Sequence, residues 1–120
     1  MKDRRFSSRG TVGQAGRRAV WAEYLASGAW SLRRLAFLAS DAANTQCPGC
    51  DVPVGLPDDV HHLEYPDLPG QEADADLIVL CRRCHEAVHA SMDRSSSWRR
   101  ISRCAATRAI LEQLHRRFVS

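Results

Sequence analysis

The chain has 120 residues, 17 Lys plus Arg against 14 Asp plus Glu, and five cysteines, which bounds it to one small domain with little core to spare. No apolar run reaches membrane-span length, and no hydrophobic segment follows the basic "MKDRRFSSRG", so a secretory signal is not expected and a cytoplasmic location is the default. The net charge of +3 hides an uneven distribution: residues 47–81 carry eight acidic side chains and no Lys or Arg, while residues 82–120 carry nine basic against three acidic.

Residues 1–14, rich in Arg, Ser and Gly, read as a flexible basic arm that shares the bias of an organellar transit peptide. A helical pattern starts near Arg17, with Val20, Trp21 and Tyr24 on one side, and Ser27 is placed to cap a second helix carrying Trp30, Leu35, Phe37 and Leu38. "CPGC" at Cys47–Cys50 is a tight turn. A strand is expected at Asp59–Leu63, and "YPDLPGQEADAD" is too rich in Pro, Gly and acid for regular structure. "LIVL" (Leu77–Leu80) reads as a buried strand leading into Cys81, and His85 to about Met92 as a short helix. Ser97 is a candidate cap for a last helix with Trp98, Ile101, Cys104, Leu111, Leu114 and Phe118 on its apolar stripe. The expected class is small α+β: a hairpin and helix stapled by metal over residues 15–92, with a C-terminal helix over 93–120 packing on the same domain.

Cys47-x-x-Cys50 and Cys81-x-x-Cys84 have the spacing of two knuckles that together give zinc its four tetrahedral thiolates, so a structural Zn²⁺ is expected there. Cys104 is left over and reads as a buried small hydrophobe. With the sulfurs sufficient for one ion, the histidines are free for other work. His85 and His89 lie four apart on one helix face and can share an ion. His61 and His62 are adjacent on a strand and must point to opposite sides, so one of them can join that ion while the other faces elsewhere. His115 reads as structural, and Trp30 and Tyr65 as core packing.

The stretch "VHHLEYPDLPGQEADADLIVLCRRCHEAVH", preceded by "YLASGAWSLRRLAFL", resembles the HNH endonucleases of the ββα-metal nuclease superfamily, in the branch whose first motif reads His-His-x-x-Tyr. The likeness runs from about Trp21 to His89 and leaves out the N-terminal arm and the last helix. It implies a ββα-metal core in which His62 is the general base and His61, His85 and His89 hold one catalytic divalent ion, with Mg²⁺, Mn²⁺, Ni²⁺ or Zn²⁺ as candidates. The three-histidine set is similar to that of colicin-type nucleases. Asp76 stands where the family often has Asn, in a position that ties the excursion loop to the strand; a carboxylate accepts such bonds but cannot donate them. The resemblance further implies DNA as partner and substrate, approach of the ligand-bearing helix to the minor groove, and cleavage leaving 5′-phosphate and 3′-hydroxyl ends. Arg33, Arg34, Arg82 and Arg83 are candidate phosphate contacts. With no recognition helix in view, weak sequence preference and strong salt dependence are expected. The alternative is a zinc-knuckle module that binds nucleic acid without cleaving it, and a third reading is a purely structural zinc domain.

Overall fold

Ser27 divides the N-terminal helical pattern as its capping chemistry requires. Its Oγ accepts from the Trp30 N–H at 3.4 Å and donates to the Tyr24 carbonyl at 2.6 Å, separating α1 (Gln14–Leu25) from α2 (Gly28–Leu38). The computed structural model describes residues 14–119. Apart from Gln14, which opens α1, the expected basic arm lies outside them. The inward face of α1 holds two of the three residues expected on it: Trp21 is buried and Tyr24 half-buried, but Val20, one position before Trp21, is turned outward at 49% exposure.

A two-stranded antiparallel hairpin follows, β1 (Asp59–His62) against β2 (Leu77–Leu80), with Val60 opposite Val79 and His62 opposite Leu77. β1 ends one residue before the expected Leu63, whose N–H still bonds the Asp76 carbonyl at 2.6 Å, in register with the ladder. The acidic excursion between the strands has one short 3₁₀ turn, Asp74–Asp76. The outer edge of β2 is closed by a side chain: the Asn44 amide donates to the Val79 carbonyl at 2.9 Å and accepts from the Val79 N–H at 2.8 Å. One residue thereby stands in for a third strand.

Alternation along the strands gives the hairpin two different faces. Val60, Leu77 and Val79 pack on Phe37 of α2. Leu80, with Ile78 beside it, packs on the opposite face with Cys84 and Val88 of α3 (Arg82–Arg94) and Ile110, Leu111 and Leu114 of α4 (Arg103–Val119). The described residues thus form a small α+β fold of four α-helices around an antiparallel hairpin. None of these helices is long and apolar enough to cross a membrane.

Both C-terminal helices differ from expectation. α3 begins at Arg82, because Cys81 caps it with its Sγ accepting from the Cys84 N–H at 3.4 Å. Residues Ser96–Arg100 form a separate 3₁₀ turn, and α4 starts only after Ser102, whose Oγ accepts from the Ala105 N–H at 3.0 Å. Ser102, not Ser97, is therefore the cap, and the stripe shifts with it. Ile101 and Phe118 are 47% and 38% exposed, Cys104 is only half-buried, and Ala106, Thr107 and Ile110 take the inner positions. Asn44→Ala would leave two buried backbone groups of Val79 without partners. It is expected to lower unfolding free energy by about 1–3 kcal/mol in urea titrations of zinc-loaded protein.

Candidate metal centres

Four sulfurs converge where the "CPGC" turn meets the start of α3. The Sγ atoms of Cys47, Cys50, Cys81 and Cys84 all lie within 4.8 Å of one another, and Cys50 and Cys81 are 3.7 Å apart. That is far too long for a disulfide, but it matches the edge of about 3.8 Å that Zn–S bonds of about 2.3 Å give a tetrahedron. The turn is built by bonds from the Cys50 and Asp51 N–H groups to the Cys47 carbonyl at 3.3 and 2.7 Å, and Asp51 adopts a positive φ of 66°. Gly49 is required: a Cβ there would sit 2.7 Å from Cys84 Sγ. Burial first, then the neighbouring sulfurs, hold the Cys84 thiol well above its ordinary value. A cation is what would let the four ionise together. The set fits a structural zinc.

On the α3 side of the hairpin the ring nitrogens of His61, His85 and His89 form a second group within 4.8 Å of one another. His61 comes from β1, while His85 and His89 stand one turn apart on α3 with Nε2 atoms separated by 3.1 Å. This is close to the roughly 3.3 Å expected between two imidazole nitrogens on one tetrahedral ion. Two of the three rings are oriented by a neighbour. The Asp59 carboxylate accepts from His85 Nδ1–H at 3.0 Å, which leaves His85 Nε2 as a lone pair facing the group. His61 Nε2 meets the Thr107 hydroxyl at 3.0 Å, and His61 Nδ1 is buried with no partner. An orphaned buried nitrogen in a ring of imidazoles fits a metal ligand. Burial, then the charges of Arg103 and the neighbouring imidazoles, push His61 from its ordinary 6.5 to about 2. Burial is also the first cause of the downward shift at His89. Neutral imidazoles are the form that binds metal.

His62 turns to the other face. Its ring stacks on Tyr65 (centroids 4.7 Å, planes 16° apart) and lies against Trp30 at 4.7 Å, with Trp21 edge-on. Nε2 is 2.8 Å from Glu72 Oε2, a carboxylate buried in the excursion loop. A carboxylate accepts, so Nε2 carries the hydrogen and Nδ1 keeps its lone pair. Burial outweighs Glu72 and holds the His62 pKa below its ordinary value. Asp76 does not touch His62: its side chain accepts from the Ala73 N–H at 2.9 Å and its carbonyl from the Leu63 N–H. It ties the end of the loop to the start of the hairpin, using acceptors only.

The arginines expected at phosphate are mostly engaged within the protein. Arg33 holds the Glu72 carbonyl and the Asp74 carboxylate, each at 2.9 Å, and Arg34 the Asp58 carbonyl at 2.7 Å. Arg82 makes a fork onto Asp59 at 2.7 and 3.1 Å, and Arg83 lies over the Phe118 ring at 4.1 Å. His115 pairs with Asp51 at 3.0 Å beside the sulfur cluster. Four residues that matter here were not singled out by the sequence: Asp59, Glu72, Thr107 and Arg103. Asp59 had a signal, since it precedes His61 by two and shares its strand face. Beside His85 and His89 opens a cleft of ≈ 410 Å³ lined also by Trp30, Arg34, Val60, Arg82 and Glu86. No family model, curated protein or solved structure matches the chain.

The buried neutral His61 gives stability a defined pH dependence. Its imidazole protonates near 6.5 when unfolded but resists to about 2 when folded, so its contribution is full above pH 6.5 and falls as pH drops below it. Between pH 6.5 and 5 the wild type should lose about 1.6 kcal/mol more than His61→Gln in paired urea titrations, the slope steepening toward about 1.4 kcal/mol per pH unit. Parallel slopes would show that His61 is not held neutral.

Proposed function

We propose that this chain is a metal-dependent endonuclease of the HNH kind, hydrolysing DNA phosphodiester bonds by nicking or double-strand cleavage. One observation carries the reading: consecutive residues of β1 deliver His61 to a cluster with His85 and His89, and His62 to a buried carboxylate on the opposite face. A module that only binds, or a purely structural zinc domain, needs neither a second ligand set nor a neutral histidine with its tautomer fixed beside it.

In this reading Cys47, Cys50, Cys81 and Cys84 hold a structural zinc, and His61, His85 and His89 hold a catalytic divalent ion. Held by those three imidazoles, such an ion would supply Lewis-acid polarisation of the scissile phosphate and charge stabilisation of the departing oxygen. Glu72 keeps the hydrogen of His62 on Nε2, so the Nδ1 lone pair is the one that takes a proton from the attacking water. Trp30 and Tyr65 hold the ring in one plane, which fixes the direction of that lone pair. Asp59 orients His85, Thr107 orients His61, and Asp76 acts as a positioning residue that keeps the excursion loop, and with it Glu72, in place.

A second reading, a nucleic-acid-binding module that does not cleave, draws support from the 3% exposure of His62. Water must reach that ring for the first reading to hold. The two separate on nicking of supercoiled plasmid by protein stripped of loosely held metal, with Mg²⁺, Mn²⁺, Ni²⁺ or Zn²⁺ restored singly. The endonuclease reading predicts metal-dependent nicks with 5′-phosphate ends and a loss of about 10²–10⁴-fold in His62→Ala. DNA binding with no nicking under any ion would establish the binding module. Full cleavage by His62→Ala would keep the enzyme and remove His62 as its base.

A further inference from the structure

We propose that Arg103, the first residue of α4, is the phosphate-binding cation of this site. The inference rests on the endonuclease reading for its substrate and extends it to a helix that the resemblance does not cover.

Arg103 is held at the histidines from three sides. Its Nε donates to the His62 carbonyl at 2.8 Å, its guanidinium carbon lies 4.7 Å from the Tyr65 ring centroid, and Nη1 approaches the Met92 sulfur of α3 at 3.7 Å. These contacts fix the plane of the guanidinium without neutralising it. Among the described residues no carboxylate lies within ion-pair distance of Arg103, whereas Arg33 and Arg82 each hold one. Nη2 makes no hydrogen bond among those residues. A half-buried guanidinium with intact charge and unused donors is pre-organised for an oxyanion.

Its placement matches the chemistry. Val79 directs its N–H and carbonyl to Asn44, away from β1, so Val60–Val79 is a non-hydrogen-bonded pair, as is His62–Leu77 two residues along. The His62 carbonyl therefore faces the open edge of β1, where Val60 lines the cleft beside His85 and His89. Arg103 takes that carbonyl. It stands between the two histidine faces, and its charge reaches His61, His62 and His89 alike. A phosphodiester approaching the histidines along this edge meets the free side of the guanidinium.

The test uses the zinc-loaded 120-residue chain and a short fluorescent DNA duplex, with Arg103→Lys and Arg103→Gln compared with wild type. Gln keeps a donor for the His62 carbonyl and loses the charge; thermal midpoints identify any variant that fails to fold. Arg103→Gln should reduce the slope of log affinity against log salt by about one phosphate contact, roughly 0.9, and slow single-turnover nicking at least tenfold. Arg103→Lys should retain the slope and recover only part of the rate. An unchanged slope in a folded Arg103→Gln overturns the assignment, because a merely structural arginine would leave it so. If the wild type nicks nothing yet Arg103→Gln loses the slope, the endonuclease reading fails and the phosphate contact stands. Nicking by wild type and Arg103→Gln at equal rates leaves the enzyme and removes Arg103 from it.

Discussion

Neighbouring residues on a β-strand point to opposite faces, and the whole site is arranged around that constraint at His61 and His62. One four-residue strand serves two chemistries because each of its faces meets a different pair of helices. The α3–α4 face brings the nitrogens of His85 and His89 and the Thr107 hydroxyl to His61, while Asp59, on the same strand face, holds His85. The α1–α2 face brings aromatic rings and, through the excursion loop, Glu72 to His62. A one-residue slip in register would exchange the two histidines and destroy both environments. Asn44 on one side of the hairpin and the Leu63–Asp76 bond at its end are what hold that register.

The sulfur cluster fixes the same register from the other end. It joins the turn before β1 to the start of α3, so α3 cannot rotate relative to the hairpin without separating Cys81 and Cys84 from Cys47 and Cys50. Since His85 follows Cys84 directly, the direction in which the ring of His85 points is set within one residue of a sulfur ligand. Core packing supports this arrangement: Cys47 and Cys84 are buried in the same cluster as Val88, Ile110 and Leu111. In a chain this short a metal closing that core would compensate for limited apolar burial.

Much of this was legible in the sequence, for physical reasons. The four cysteines, the Ser27 cap, the "LIVL" strand and the opposed histidines follow from spacing and period. The errors arose where tertiary contacts decide. Val20 and Trp21 fit a helical face equally well until Tyr65 and His62 select Trp21. "RSSSWRRIS" offers several serines as caps, and only packing selects Ser102. Glu72 sat in a loop read only as lacking regular structure, because nothing local distinguishes a carboxylate that reaches a histidine ten residues away. For Arg33, Arg34 and Arg82, candidate phosphate contacts, the spacing could not announce the carbonyls and carboxylates they also hold, because those partners are distant in sequence.

The central claim is that one small chain offers two metal sites of different chemistry, four thiolates and three imidazoles, on the two ends of one hairpin-helix unit. Titration of reduced, metal-free protein with Co²⁺ tests it directly, since thiolate-to-cobalt charge transfer reports sulfur ligation and visible ligand-field bands report coordination in general. The account predicts two equivalents. The first brings the full thiolate band and persists in His61→Ala, and the second adds visible absorption only and disappears in that variant. A single equivalent, or a second one indifferent to His61, would contradict it.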